Sequence, residues 1–141
     1  MKLSARNQWS GFVESVTDGV VTSEVTVRLS EQQLIVATVT TGSVRRLGLE
    51  AGAPVTAIVK ASSVIVGAGP AGRTSARNQL TGPVSRIERG AVQGVVTLSC
   101  GDGIEVTSTL TLGSLDSLGL QEGDQATALI KASHVLLAVD A

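Results

Sequence analysis

The sequence predicts an all-β fold with two tandem OB-like Greek-key β-barrels, each with one short helix. The first observation is compositional: 20 Val, 6 Ile and 14 Thr stand among the 141 residues, and β-branched residues favour pleated sheet over helix. The second observation is an internal repeat with an offset of 71 residues, which divides the chain into two units of similar size. The third is the order of predicted elements, which both copies share.

The repeat needs no insertion. The pentapeptide Ser-Ala-Arg-Asn-Gln at residues 4–8 returns at residues 75–79, and residues 4–66 match residues 75–137 at 25 of 63 aligned positions. The glycine-rich segment between the copies has no counterpart, and its composition is typical of a flexible linker. The predicted organisation is a first domain over residues 1–66, a linker over residues 67–73 and a second domain over residues 74–141.

The first elements of each copy are strands. A strand is predicted over residues 6–16, followed by a turn at Asp18-Gly19. Residues 21–29 alternate between apolar or small side chains and polar ones, which is the period of a strand with one buried face. The predicted inward faces comprise Val21, Ser23, Val25, Val27 and Leu29 in the first copy and Val92, Gly94, Val96, Leu98 and Cys100 in the second.

The later elements of each copy are a third strand, a short helix and a last strand. The third strand is predicted over residues 34–40, and the helix over residues 43–49 with Gly48 as a stop. The last strand is predicted over residues 55–66, with Lys60 in its middle. Four or five strands with one short helix are typical of a small Greek-key barrel of the OB type.

The composition argues against several classes of function. The formal net charge is −1, which disfavours electrostatic binding to nucleic acid or to a membrane surface. Trp9 and Phe12 are the only aromatic residues, so a platform for stacking bases is not expected. One Cys and one His exclude a disulfide framework and a zinc site built from those residues.

The location expected from the sequence is the cytoplasm. No apolar targeting segment follows Met1. Lys60 and Lys131 interrupt the most apolar stretches, so none approaches the roughly 18 apolar residues of a membrane-spanning helix. The lone Cys100 fits a reducing compartment. We therefore expect a soluble protein without a membrane partner.

Each unit is expected to need partners. A domain of about 65 residues buries a modest share of its surface, and this one has few large aromatic side chains for a core. We expect the two units to pack on each other and on other chains. A stable two-barrel monomer is the alternative.

Several patterns that could signal chemistry have simpler interpretations. Residues 67–72 match G-x-G-x-x-G, but a phosphate-binding loop needs a following helix, and here a β-like stretch follows. Cys100 is interpreted as a buried small side chain, His134 as a surface residue, and Asp18 and Asp102 as turn formers. Without an acid–base pair or a partnered nucleophile, we expect no catalytic residue and no enzyme.

The polar residues that recur in both copies suit a small oxyanion. They give each copy two cations with hydroxyls and amides, because Arg offers a planar fork of donors, Lys a point charge and Ser single donors. The two helix-start serines would add free backbone amides. The recurring pairs are Ser4/Ser75, Arg6/Arg77, Asn7/Asn78, Gln8/Gln79, Ser43/Ser114, Lys60/Lys131 and Ser62/Ser133.

Each of these residues also has a structural interpretation. Ser43 at a helix start is commonly a cap. Asn7 and Gln8 near a strand start commonly fix a turn. Lys60 inside a strand is commonly a solvated edge residue. Common descent of the two copies would also explain shared residues.

Three motifs resemble one known family. The Ser-Ala-Arg-Asn-Gln pentapeptide, the segment from Ser43 to Leu49 and the tripeptide Val59-Lys60-Ala61 resemble the Mop domain. Two such domains in one short chain resemble the di-Mop molbindins, and the resemblance covers essentially the whole chain. It implies OB-like barrels that bind molybdate or tungstate without catalysis, and trimers of chains with six barrels.

The resemblance also implies a binding set at interfaces between barrels, with no side chain as a direct metal ligand. The pentapeptide would supply its share from one barrel, and Ser43, Lys60 and Ala61 would come from a neighbouring barrel. Neither copy has lost a position. The implied oxyanion-binding residues are Ser4, Ala5, Arg6, Ser43, Lys60 and Ala61, and in the second copy Ser75, Ala76, Arg77, Ser114, Lys131 and Ala132.

The implied role is intracellular storage, buffering or delivery of the anion. Regulators and transporter subunits of the family carry a DNA-binding or ATPase domain as well, and this sequence begins at the first Mop-like strand, so neither role is expected. The implied partners are the oxyanion and further copies of the chain, without nucleic acid. The alternative is an interaction or nucleic-acid-binding module on an OB-like barrel.

Overall fold

The computed structural model describes residues 2–140, and this part of the chain is mostly β-strand. The first half contains β1 (Asn7–Thr17), β2 (Thr22–Arg28), β3 (Leu34–Thr40), α1 (Thr41–Leu47), β4 (Pro54–Val59) and β5 (Ile65–Ala68). The second half contains β6 (Asn78–Arg89), β7 (Gln93–Ser99), β8 (Glu105–Thr111), α2 (Leu112–Leu118), β9 (Gln125–Ile130) and β10 (Leu136–Ala138). Single turns of 3₁₀ helix lie at Ala61–Ser63 and Ala132–His134.

Each half builds a Greek key of antiparallel strands. In the first half β1, β2 and β3 pair in sequence, and β4 returns beside β1. In the second half β6, β7 and β8 pair in sequence, and β9 returns beside β6. A fourth strand beside the first of three is the Greek-key order. The predicted fold of two tandem OB-like units, each with one short helix, is confirmed.

The two halves exchange their last strands. β5 belongs to the first half in sequence, but it pairs with β9 of the second, with Ile65 opposite Leu129. β10 pairs in return with β4 of the first half, with Leu136 opposite Ile58. Each five-stranded sheet is therefore completed by a strand from the other half.

Two buried asparagines fasten the halves together. The Asn7 amide donates from Nδ2 to the carbonyl oxygen of Thr107 at 2.8 Å, and its Oδ1 accepts from the Thr107 backbone nitrogen at 2.7 Å. Asn78 makes the same pair of bonds with Val36, at 2.8 and 2.7 Å. Thr107 lies in β8 and Val36 in β3, so each amide satisfies backbone groups of the other half's third strand. Asn7 is thus a clamp between halves and does not serve to fix a turn.

A hydrophobic core runs through both halves, and a second cluster around Val25 and Val27 lies in the first half. Trp9 and Ile35 of the first half pack in the same buried cluster as Leu80 and Leu98 of the second. The indole nitrogen of Trp9 donates to the carbonyl oxygen of Glu105 at 2.9 Å, which satisfies the polar end of this large side chain. The expectation that the two units pack on each other is confirmed.

The first three strands lie within one residue of their predicted ends. The inward face of β2 is buried at Ser23, Val25 and Val27, as predicted. Val21 precedes the strand and is exposed. Asp18 accepts a hydrogen bond from the Ser23 hydroxyl at 3.2 Å in the turn between β1 and β2.

The second copy repeats this pattern. Gly94, Val96 and Leu98 of β7 are buried, and Val92, before the strand, is exposed. Asp102 has a φ of 52° between β7 and β8, a left-handed conformation that Asp tolerates better than most residues. Both aspartates are therefore turn residues, as predicted.

The prediction of one strand over residues 55–66 is wrong. β4 ends before Lys60, a 3₁₀ turn follows, and β5 then begins. The Ser63 backbone nitrogen donates to the Lys60 carbonyl at 2.9 Å and closes the turn. Three small residues at 61–63 lack the alternation of a strand, and the break redirects β5 to the other half.

The helices begin two residues earlier than predicted. Thr40 is the N-cap of α1, because its hydroxyl oxygen accepts from the Ser43 backbone nitrogen at 3.1 Å. Thr111 caps α2 in the same way through Ser114, also at 3.1 Å. Gly48 ends α1 with a φ of 67°, as predicted. Across residues 2–140 no helix is long and apolar enough to cross a membrane.

The glycine-rich segment does not form a phosphate-binding loop. Gly67 and Ala68 belong to β5, so the predicted linker over residues 67–73 starts inside a strand. The Gly69 backbone nitrogen donates to the carbonyl oxygen of Gln125 at 2.8 Å. The next regular element is the strand β6, where such a loop would need a helix.

Gly82 in β6 has no room for a side chain. A Cβ there would lie 2.0 Å from the carbonyl oxygen of Ser99. We expect Gly82→Ala to lower the free energy of unfolding by about 1–3 kcal/mol, because β6 must move off β7. Urea denaturation measures this difference.

The matched control is Gly113→Ala in α2, where a Cβ meets nothing within 4 Å. It should leave the stability unchanged or raise it slightly, because alanine restricts the unfolded chain. A Gly82→Ala variant as stable as the wild type would contradict the close approach.

Asn7 is the second position where stability is tested. Asn7→Asp keeps an acceptor for the Thr107 amide but removes the donor to its carbonyl and buries a charge. We expect the free energy of unfolding to fall by about 2 kcal/mol or more. The same amide-to-acid change at exposed Gln32 is the control in thermal denaturation. A melting temperature equal to that of Gln32→Glu would show that the clamp contributes nothing.

Candidate functional site

Two cavities of matching composition lie where the halves meet. The Arg6 cavity has a volume of about 440 Å³ and the Arg77 cavity about 460 Å³. The Arg6 cavity is lined by Leu3, Ser4, Ala5, Arg6, Ile58, Lys60, Ala61, Ser62, Thr109 and Leu136. The Arg77 cavity is lined by Thr38, Ile65, Thr74, Ser75, Ala76, Arg77, Leu129, Lys131, Ala132 and Ser133.

The two linings are the same ten positions of the repeat. Every residue of one cavity has its counterpart, offset by 71 residues, in the other. Each cavity takes eight residues from one half and two from the other, the latter being Thr109 and Leu136 at the Arg6 cavity. The strand exchange places these two, because Leu136 begins β10, which pairs with β4.

The first three residues of the pentapeptide line the cavity, and the last two stabilise the fold. Ser4, Ala5 and Arg6 line the cavity, and the next residue, Asn7, is the buried clamp. The Gln8 amide donates to the Ala5 carbonyl oxygen at 2.9 Å and so fixes the segment before β1. The predicted turn-fixing role is therefore confirmed for Gln8. Gln79 does the same for Ala76 at 3.3 Å.

The lysines reach the cavities from the end of the fourth strand of each Greek key. Asn7 pairs with Val59 across β1 and β4, which places Lys60 beside Arg6. Lys60 is exposed and precedes the 3₁₀ turn that begins at Ala61. Lys131 occupies the same position after β9. The side chain of a lysine at a strand end is less restricted by neighbouring strands than one in mid-strand, and it can reorient toward a ligand more freely.

The structure brings together most of the predicted residues. Ser4, Ala5, Arg6, Lys60 and Ala61 line one cavity. Their counterparts Ser75, Ala76, Arg77, Lys131 and Ala132 line the other. Within this chain each lysine lies in the same half as the arginine of its cavity.

Ser43 and Ser114 line neither cavity. Each is the third residue of its helix, and the Ser43 hydroxyl accepts from Thr40 Oγ1 at 2.7 Å. The interpretation of these serines as helix starts is corrected, because the threonine before each helix is the cap.

Ten lining residues lie outside the binding set implied by the sequence, and four of them are hydroxyl residues that recur in both copies. Ser62 and Ser133 recur in both copies, so the repeat itself was a usable signal. Thr38 and Thr109 also recur, but each reaches the cavity of the opposite half. That contact depends on how the halves pack, which no local pattern indicates.

The charges of the cavities favour an anion. Each lining contains one Arg and one Lys and no acidic residue. Together with the serine and threonine hydroxyls, these groups are donors for a small oxyanion. Among residues 2–140 no cluster of three His, Cys, Asp or Glu side chains could hold a metal ion directly.

The two arginines differ in their surroundings. Arg77 Nη1 donates to Glu24 Oε2 at 2.6 Å, and Nη2 donates to Oε1 at 2.9 Å. This hydrogen bonding holds the pKa of the Glu24 carboxyl below its ordinary value. Four ion pairs occur within the described part of the chain, and none includes Arg6, Lys60 or Lys131.

Cys100 and His134 take no part in either cavity. Cys100 packs partly buried against the shared core, and burial raises the pKa of its thiol to about 11. So high a pKa keeps the thiol protonated and unreactive near neutral pH. His134 is exposed in the second 3₁₀ turn. Both were interpreted in this way from the sequence.

The comparisons with known proteins agree on one family. The TOBE domain model matches residues 3–66 and residues 74–137. Over 140 residues the chain is 45% identical to the molybdenum transport protein ModE of Herbaspirillum seropedicae, covering 99% of this chain and 52% of that protein. It is 41% identical over 140 residues to the molybdenum-pterin-binding protein MopA of Rhodobacter capsulatus, covering 99% and 53%. The chain thus spans about half the length of the curated relatives it matches.

A solved structure matches the whole chain. It is a crystal structure of the cytoplasmic molybdate-binding protein ModG with molybdate bound. The similarity has a TM-score of 0.95 and 45% sequence identity, and it covers 99% of this chain and 100% of that one.

Proposed function

The chain belongs to the TOBE domain family, with two domains in tandem, and from that premise we propose that it binds molybdate, and tungstate as a close analogue, without catalysis. The observation that carries this proposal is the pair of symmetric cavities. Each has one Arg, one Lys and several hydroxyls and lacks an acidic lining residue. The similarity to ModG with molybdate bound supports the choice of anion.

The proposed binding uses hydrogen bonds to the oxygens of the anion and no bond to the metal. The planar guanidinium of Arg6 would donate a fork of two hydrogen bonds, and the Lys60 ammonium would add a point charge. Ser4 and Ser62 would supply single donors. Two cations balance one tetrahedral dianion, so no protein carboxylate is needed. The anion would be held by hydrogen bonds and charge alone, and we therefore propose binding without a reaction.

We propose further that the chain assembles as a homotrimer, with six barrels in all. The cavities carry exposed apolar side chains at their rims: Ile65 is 60% exposed and Leu136 is 62% exposed. Burying such residues against another chain is favourable. It would also let Ser43 and Ser114 of a neighbouring chain approach a cavity that they do not reach within their own.

The proposed role is storage, buffering or delivery of the anion in the cytoplasm. The similarity to ModG, described as cytoplasmic, supports that location.

Removing the two cavity lysines tests the proposed site. In Lys60→Ala/Lys131→Ala we expect molybdate affinity to fall roughly ten- to hundredfold, because each anion loses a charge-assisted hydrogen bond. Isothermal titration of the anion-free protein measures the dissociation constants, with sulfate as a second titrant.

The matched control is Arg86→Ala/Arg89→Ala, which also removes two positive charges. Both arginines are exposed in the second half of β6, away from the cavity linings. This variant should bind molybdate like the wild type. Unchanged affinity in the lysine variant would show that the cavities are not the site.

The assembly is tested by mass. We expect light scattering on the eluting protein to give about three times the chain mass of 14.3 kDa. Replacing Ile65 and Leu136 by Ser should lower that mass, because the rim would then have less apolar surface to bury against another chain. A wild-type protein that elutes at the mass of one chain, with and without molybdate, would contradict the trimer.

A further inference from the structure

One carboxylate breaks the symmetry of the two cavities. Glu24 holds Arg77 by two hydrogen bonds, at 2.6 and 2.9 Å. Glu24 comes from β2 of the first half, and Arg77 precedes β6 of the second, so the pair crosses between halves. The residue at the equivalent position of the second copy is Val95, which has no charge.

The strand register places both residues beside their cavities. Glu24 lies opposite Thr38 in the β2–β3 ladder, and Thr38 lines the Arg77 cavity. Val95 lies opposite Thr109 in the β7–β8 ladder, and Thr109 lines the Arg6 cavity. The position next to the lining threonine therefore carries a carboxylate at one cavity and an isopropyl group at the other.

We propose that Glu24 is a built-in competitor for the Arg77 guanidinium, which makes the two oxyanion sites of one chain unequal and the Arg6 site the tighter one. This inference rests on the proposed function and identifies a residue that sets the affinity of one site. An oxyanion and a carboxylate use the same planar fork of donors on Arg. Glu24 occupies the Nη1 and Nη2 donors of Arg77, so an anion that uses these donors must displace it. Arg6 has no ion-pair partner among residues 2–140.

Two effects act in the same direction. Affinity for the anion is reduced by the fraction of molecules in which Arg77 is free. A carboxylate that stays near the site also repels a dianion. Because the Glu24 and Arg77 side chains are 37% and 52% exposed, water screens the pair and the effect is graded. The consequence is stepwise loading: the Arg6 sites fill first, and the Arg77 sites release first.

The test is isothermal titration of the full-length chain with molybdate. We expect wild-type protein to show two classes of site, and Arg6→Gln to remove the tighter one. Glu24→Gln should tighten the weaker class by roughly two- to tenfold and leave the tighter class unchanged. Val95→Glu should do the reverse and weaken the tighter class by a similar factor.

The matched control is Glu14→Gln. Glu14 holds Arg28 by two hydrogen bonds at 2.6 and 3.1 Å, so this variant breaks a similar ion pair with the same change in charge. Neither Glu14 nor Arg28 lines the Arg6 or the Arg77 cavity. Both classes of site should keep their wild-type affinities in Glu14→Gln.

The outcomes separate this inference from the proposed function. If the wild type binds molybdate but Glu24→Gln changes the affinity of the weaker class no more than Glu14→Gln does, the competitor role of Glu24 is overturned and the proposed function stands. A folded wild-type protein that gives no heat with molybdate would refute the proposed function, and the inequality of sites with it. Folding of each variant, including Val95→Glu at a half-buried strand position, is checked by circular dichroism.

Discussion

The hydrogen bonds from Asn7 and Asn78 to the opposite half are the contacts on which both cavities depend. Each side-chain amide is buried and pairs with a backbone N–H and C=O of a third strand. Leaving such groups without partners would cost more than the bonds contribute, so the relative position of the halves is strongly constrained. Arg6 and Arg77 directly precede these asparagines, and the clamp therefore sets where each guanidinium lies against the other half.

The exchange of β5 and β10 adds a second constraint on the same region. Because each sheet ends with a strand from the other half, the residues at the starts of these strands, Ile65 and Leu136, become cavity walls. The cations of the cavities stay exposed, while the apolar core and the clamps stay buried. The rigid framework and the solvated cations are thus separated within a few residues of the chain, which suits the proposed uptake and release of a small anion.

Most of the fold and most of the candidate site could be predicted from the internal repeat. Alternation in residues 21–29 predicted β2, and the pairs Arg6/Arg77 and Lys60/Lys131 were identified because they recur at one offset. The strand exchange and the clamps were not predicted, because a strand of four residues gives no signal about its partner and Asn7 has the same local context whether it fixes a turn or crosses to Thr107. Ser43 was misplaced because a threonine before a helix caps as well as a serine does. The Glu24–Arg77 pair needed the packing of the halves, since the two residues are 53 positions apart.

Anomalous diffraction from crystals grown with molybdate, recorded at the molybdenum edge, would locate the bound anion. We expect a peak in each cavity, within hydrogen-bond reach of Arg6 and Lys60 in one and of Lys131 in the other, with higher occupancy beside Arg6 when molybdate is limiting. Well-occupied peaks that lie outside both cavities, with neither cavity holding the anion, would contradict this expectation.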